Sequence, residues 1–253
     1  MEPLAKAAPA AFKCTACGKC CKEFYRNRSY GPFFILDNGL PLNLVEKEIF
    51  EREAAKQGKK PDLRWSRVLF DELSGKVIGL TWCAASEPCL FLRGDNLCAN
   101  YEHRPVYCRS FPVRPAFVEP DNGLVKFAGT SCPDDFMPDS FPEHRERLIS
   151  NRELAQAYHK YYSDDYVWAR VKADLEQRLQ AFLKELTEKG VLKPALASQA
   201  TPELEGKVRG MQVVALDDFL APKGKGFSRE SLREKLFAFD FEAMKKKVLT
   251  EIR

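Results

Sequence analysis

Cys14-Thr15-Ala16-Cys17-Gly18-Lys19-Cys20-Cys21 places four thiols in eight residues. A hydrophobic core has no use for that density. Three cysteines at a repeat of three, with a fourth directly behind, read as a loop wrapped around a metal centre, because soft thiolate donors must converge on one point. The other five cysteines are Cys83, Cys89, Cys98, Cys108 and Cys132, and none follows. Thiols therefore crowd the first half of the chain and are absent from the second.

That asymmetry sets the expected architecture. The chain reads as α+β, a small metal-stapled N-terminal domain of short strands and hairpins followed by a mainly helical C-terminal half. Residues 1–12 are expected to be a flexible tail, residues 13–140 a cysteine-cluster metal-binding domain and residues 141–253 a helical region.

In the first half, Phe33 to Leu36 reads as a short strand ended by the turn residues Asp37-Asn38-Gly39. A helix is expected from Asn43, with Glu46 completing a capping box, an apolar stripe of Val45, Ile49 and Ala54, and an end at Gly58 and Pro61. Arg67–Phe70 and Lys76–Trp82 read as a hairpin joined through Leu73-Ser74-Gly75. A second hairpin is expected from Val113–Val118 and Leu124–Ala128, around Asp121-Asn122-Gly123. Pro112 and Pro115 keep its first strand at an edge.

In the second half, Asn151–Tyr161 and Asp164–Lys189 are expected to be helices. The longer one carries Val167, Trp168, Val171, Leu175, Leu179, Phe182, Leu183 and Leu186 at spacings of three and four, with Gly190 as its C-cap. Such a stripe reads as core packing before it reads as a partner surface. Residues 191–210 look like a connector without clear pattern. Met211–Leu216 reads as a strand, and Ser228–Leu236 and Asp240–Ile252 as two closing helices with capping residues in front. Pro222-Lys223-Gly224-Lys225-Gly226 lacks the spacing of a phosphate-binding loop and reads as a plain loop.

Composition narrows the class. With 253 residues, 45% apolar and 30% charged, the chain is globular. A net charge of +4 gives no argument for nucleic acid, and the run Lys245-Lys246-Lys247 reads as the solvated face of a helix. No stretch reaches the roughly 18 apolar residues of a membrane span. No secretory signal is legible, so the cytoplasm is the expected compartment. A reducing compartment and an odd count of nine cysteines both argue against a disulfide framework.

Cys14, Cys17 and Cys20 have the spacing of the first three ligands in a bacterial ferredoxin run, but the fourth cysteine follows at once and the only Cys-Pro is remote, at Cys132-Pro133. Structural zinc more often takes two close Cys-x2-Cys pairs, which the downstream cysteines do not offer. An iron–sulfur cluster, of the 4Fe-4S type, fits better, with zinc as the competing cofactor. Eight thiolates would serve two four-ligand sites, or one site with structural thiols beside it. Cys83 follows a strand-like segment and reads as a buried small hydrophobe. Of the three histidines, only His103 lies among the cysteines. Lys13, Lys19, Lys22, Arg104 and Arg109 adjoin the cysteines, where positive charge favours the thiolate.

The ordered motifs also carry a resemblance. Cys14-x2-Cys17-x2-Cys20-Cys21 is followed by Cys89-Leu90-Phe91-Leu92, then by Cys98-x2-Tyr101-x2-Arg104-Pro105-Val106-Tyr107-Cys108-Arg109-Ser110-Phe111-Pro112, and then by Cys132-Pro133. Over residues 14–133 this resembles the CxxCxxCC family of zinc- or iron-chelating proteins, the YkgJ-type cysteine-cluster proteins. The resemblance implies eight metal-ligating cysteines: Cys14, Cys17, Cys20, Cys21, Cys89, Cys98, Cys108 and Cys132. It also implies a bound metal or cluster, and a structural use for the Arg104-Pro105 pair. Some relatives are associated with flagellin lysine methylation.

Three functions follow as expectations. The first is a metal-binding protein holding an iron–sulfur cluster or zinc, with a protein partner possible for the helical half. The second is an S-adenosylmethionine-dependent protein-lysine N-methyltransferase, although no glycine-rich strand–turn–helix for that cofactor is visible. The third is a cluster-based electron carrier. No acid–base pair or nucleophile triad stands out, so no catalytic residue is named.

Overall fold

The computed structural model describes residues 18–22, 29–111, 114–118, 125–128, 159–160, 162–224 and 227–251. The expected tail at 1–12 and the turn at 119–123 lie outside the described residues. So does the expected helix at 151–161, apart from residues 159–160, which are helical.

Described elements run in this order: α1 (Lys19–Lys22), β1 (Phe34–Ile35), β2 (Leu40–Leu42), α2 (Leu44–Lys56), β3 (Leu63–Asp71), β4 (Lys76–Ala84), α3 (Val106–Arg109), β5 (Arg114–Val118) and β6 (Val125–Ala128). Then follow α4 (Asp164–Glu188), α5 (Pro202–Gly210), β7 (Val213–Ala215), α6 (Leu216–Leu220), α7 (Arg229–Phe237) and α8 (Phe241–Glu251). The architecture is α+β, with the larger sheet mostly in the N-terminal half and helices dominating the C-terminal half. Among the described residues no helix is long and apolar enough to cross a membrane.

The chain packs as two compact units. One comprises residues 18–105 and 178–238, the other residues 1–17, 106–177 and 239–253. Each draws chain from both sides of residue 140, and α4 contributes to both.

In the unit of 18–105 and 178–238, the β3–β4 hairpin is the spine. It pairs antiparallel from Asp71↔Lys76 to Leu63↔Ala84. The period of two along a strand sends successive side chains to opposite faces. Accordingly Leu69 and Ile78 join one buried cluster with Leu179, Phe182 and Leu186 of α4 and with Leu232 and Leu236 of α7. Val68, Phe70 and Val77 join another with Ala195, Ala197 and Val208 of the later chain. Both faces are covered, which is why the hairpin reads as unbroken apolar runs. The outer side of β4 is shared. β2 pairs antiparallel at its end (Leu42↔Trp82), and β7 pairs parallel nearer its start (Val77↔Val213).

The helix capped at Asn43 forms as expected. Glu46 N–H donates to Asn43 Oδ1 at 2.9 Å, and Asn43 N–H donates to Glu46 Oε2 at 3.0 Å. Its buried face differs from expectation: Phe50, Glu53 and Ala54 are buried, while Val45 and Ile49 are half-buried. Glu53 tolerates that position because Lys56 Nζ donates to both its carboxylate oxygens, at 2.8 and 3.0 Å.

In α4 the expected stripe is buried, apart from half-exposed Trp168. The helix ends in a Schellman motif. Gly190 sits at φ 65°, its N–H donates to Thr187 O at 3.0 Å, and Val191 N–H donates to Leu186 O at 2.9 Å. The stretch 191–210 is not a plain connector. Thr201 caps α5, its Oγ1 accepting from Leu204 N–H at 3.2 Å, with Pro202 at the first helical position.

The other unit contains the β5–β6 hairpin, paired from Arg114↔Ala128 to Val118↔Val125, together with α3, the first half of α4, and α8. Val106 of α3 shares a buried cluster with Val171 and Leu175 of α4, against which Trp168, Phe241 and Met244 pack. Asp240 Oδ1 caps α8 by accepting from Ala243 N–H at 3.0 Å.

Candidate metal centre

Six of the nine cysteines lie within the described residues. Cys14, Cys17 and Cys132 lie outside them. Four of the expected ligands, Cys20, Cys21, Cys89 and Cys98, belong to the unit of 18–105 and 178–238, and Cys108 belongs to the other.

Within the first unit, α1 and the loop from Cys89 to Cys98 are joined at two points. The Cys89 N–H donates to the Cys21 carbonyl at 2.6 Å. Gly18, which starts the α1 turn, lies against Asn96: a Cβ on Gly18 would stand 3.0 Å from Asn96 Oδ1. Gly18 takes φ 72°, open to glycine at little cost, and its carbonyl accepts from the N–H groups of Cys21 and Lys22, each at 3.0 Å. The loop is closed by the Leu92↔Cys98 bridge and by Arg93 N–H donating to Leu97 O at 2.9 Å. It is anchored from behind by Phe91, buried edge-on against Phe50 of α2 at 4.8 Å, and by Lys59 Nζ donating to Leu90 O at 2.8 Å.

The thiols sense one another. Cys20 Sγ and Cys21 Sγ are 3.9 Å apart. This contact is the main cause that raises the Cys20 thiol well above its ordinary range, with desolvation second; the positive charge of Arg104 opposes both. Cys89 is also raised, first by burial, with the charges of Cys98 and Cys20 adding to it. Against that stand backbone donors. The peptide groups of Phe91 and Leu92 favour the Cys89 thiolate, and Asn100 N–H donates to Cys98 Sγ at 3.4 Å. Arg104 is held in place by its Nε donating to Tyr101 O at 3.2 Å and by stacking over the Tyr101 ring at 3.8 Å. Crowded thiols with backbone N–H groups beside them suit the deprotonated, metal-bound form, in which the cation neutralises the repulsion.

Among the described residues no three Cys, His, Asp or Glu side chains close on a single point. The donor chemistry fits a thiophilic metal, and the part of the ligand set described in this unit is two joined pieces of chain carrying four thiols. His103 is exposed in the short 3-10 turn Tyr101–His103. Cys83 is fully buried in β4, and burial first, then the Asp37 carboxylate, pushes its thiol up to about 12. It is a protonated core thiol.

Cys108 sits half-buried on α3. Both of its neighbours carry cation–π contacts to α4, Tyr107 beneath Lys172 Nζ (4.0 Å) and the Arg109 guanidinium over Trp168 (4.7 Å). Arg109, expected to favour the thiolate beside it, also holds a cation–π contact with Trp168. Sequence reading missed Asn96 and Asn100, whose roles run through loop conformation and backbone N–H groups. The signal for Asn96 was its Asp95-Asn96 turn chemistry opposite a glycine.

No curated protein and no solved structure matches the chain significantly. Residues 13–133 match the family model CxxCxxCC, described as "Putative zinc- or iron-chelating domain". That stretch spans just under half of the chain and takes in the cysteine octet, the Cys89–Cys98 loop and α3. Residues 13–133 thus match the CxxCxxCC family, the family that the order of the cysteines resembles.

Proposed function

We propose that this protein holds an iron–sulfur cluster, with zinc as the competing occupant, through Cys14, Cys17, Cys20, Cys21, Cys89, Cys98, Cys108 and Cys132. Residues 13–140 supply the ligands and residues 141–253 support them. The observation that carries this reading is the junction of α1 with the Cys89 loop, where the Cys89 N–H meets the Cys21 carbonyl at 2.6 Å. It links two segments that carry cysteines from distant parts of the chain, and Asn100 N–H donates to the Cys98 sulfur at 3.4 Å. A cytoplasmic setting belongs to the same proposal, because reducing conditions keep these thiols available as ligands. When bound, the metal supplies the positive charge that the crowded thiolates lack.

The test is the metal content of full-length protein purified without oxygen. The expected result is a brown sample with visible charge-transfer absorption and stoichiometric iron and sulfide. A colourless sample with stoichiometric zinc selects zinc. Protein that takes up neither metal, with its cysteines reduced, overturns the proposal.

A further inference from the structure

The family match ends at residue 133, while α4 begins at Asp164. Yet α4 holds the turn that carries Cys108. On α4, Trp168, Val171, Lys172 and Leu175 stand three and four residues apart and share one face. That face receives three of the four residues of α3. Val106, 6% exposed, packs with Val171 and Leu175. Tyr107 lies under Lys172 Nζ at 4.0 Å, and Arg109 lies over the Trp168 ring at 4.7 Å. Trp168 is itself fixed by stacking on Phe241 of α8, with ring centroids 4.4 Å apart and planes 23° from parallel.

Helical geometry turns the chain by about 100° per residue. Taking Val106 as the origin, Tyr107 and Arg109 fall on either flank of the α4-facing side, and Cys108 falls opposite. By that geometry the α3 residue opposite Val106 is Cys108, the expected ligand.

We propose that α4, outside the matched domain, is the positioning element for Cys108, with Lys172 and Trp168 fixing the α3 turn so that its thiolate is presented to the metal. The proposal rests on the metal-holding function above. Neither side chain touches the metal; both act through the neighbours of Cys108. The two contacts need no steric fit at the sulfur itself, so they tolerate either occupant. They make the helical half a working part of the centre.

The test uses full-length protein, stripped of metal and titrated with Co(II) under a competing chelator. Three variants are compared with wild type: Lys172→Met, Lys172→Arg and Trp168→Leu. Lys172→Met removes the cation and keeps the length, and is expected to weaken Co(II) binding roughly 10-fold, the lower end of the effect of losing an outer-shell partner. The thiolate-to-cobalt absorption should fall with it. Lys172→Arg keeps a cation over Tyr107 and should restore both.

A second readout is the rate of Cys108 alkylation in metal-free protein, followed by mass spectrometry with buried Cys83 as the internal standard. Trp168→Leu should speed labelling of Cys108 and leave Cys83 protected. If Trp168→Leu exposes Cys83 as well, it has unfolded globally, and the Lys172 pair decides alone. Wild-type Co(II) affinity, absorption and Cys108 labelling in Lys172→Met overturn the assignment while leaving the metal-holding function standing. Failure of the wild-type protein to bind any metal overturns both.

Discussion

At the scale of single residues, Gly18 decides whether the cysteine octet reaches its distant partners. Two conditions coincide there: a left-handed φ of 72° and a Cβ position 3.0 Å from Asn96 Oδ1 and 3.1 Å from Asn96 Cβ. The backbone term alone costs a non-glycine residue about 1–2 kcal/mol, and the contact with Asn96 adds to it. Gly18→Ala should therefore loosen α1 from the Cys89 loop and weaken metal binding by roughly 5- to 30-fold, taking about 1.4 kcal/mol per factor of ten. Neither buried cluster on the large sheet includes Gly18, so circular dichroism should not change. Wild-type affinity in a chelator competition would show that the junction with Asn96 is not what assembles the thiols. The thiols themselves were legible in the sequence, because no other role explains four cysteines in eight residues. The junction was not, since it consists of a peptide N–H, a carbonyl and the missing side chain of a glycine. None of these has a residue type that advertises its partner.

At the scale of elements, the β3–β4 turn is tied to the chain after α4 by one buried carboxylate. Asp71 is fully buried and accepts from Lys193 N–H at 2.7 Å, Ser74 Oγ at 2.6 Å and Ser74 N–H at 3.1 Å. The flanking backbone repeats the link, with Glu72 N–H donating to Lys193 O and Ala195 N–H to Phe70 O, both at 2.9 Å. Asp71→Ala removes the buried carboxylate that accepts from Lys193 N–H and from Ser74 N–H and Oγ, and hydrogen bonds to a charged group contribute about 1.5–3 kcal/mol. A loss of about 3 kcal/mol in urea unfolding is expected, and a loss below about 1 kcal/mol would mean that water replaces the carboxylate. The hairpin itself was readable as two apolar runs around Leu73-Ser74-Gly75, and α2 and α4 as a capped and a periodic segment. What escaped was long-range. β7 was expected as a strand, but its parallel pairing with β4 depends on chain more than a hundred residues away. Likewise α5 hides behind a face with only Val208 fully buried, too thin a stripe for periodicity to find. The apolar stripe of α2 was misread at Val45 and Ile49 because Glu53, neutralised by Lys56, takes a buried position that pattern rules reserve for apolar residues.

At the scale of the whole molecule, the cysteines stop at residue 132, but independent folding does not stop there. The unit that carries Cys20, Cys21, Cys89 and Cys98 completes its core with residues 178–238. Leu69, Ile78 and Leu80 of the hairpin are buried in a cluster whose other members include Leu179, Phe182, Leu183, Leu186, Leu192 and Leu220. Each such side chain contributes about 1.5–3 kcal/mol when fully buried. Losing six of them removes roughly 10 kcal/mol or more, comparable with the entire net stability of about 5–15 kcal/mol usual for a folded domain. The opposite face loses Ala195, Ala197 and Val208 as well, and β4 loses its pairing with β7. Residues 1–140 expressed alone should therefore fail to fold cooperatively, even though they hold every cysteine and the whole matched domain. The measurement is thermal unfolding by circular dichroism, on the fragment and on the full chain, each with and without metal. The fragment should show no sigmoidal transition without metal, where the full chain does. A cooperative transition in the metal-free fragment would show that the sheet stands without its C-terminal cover, and would return the later helices to the status of an appendage. A transition that appears in the fragment only on adding metal would instead mean that the thiolate centre supplies folding free energy large enough to replace the missing core.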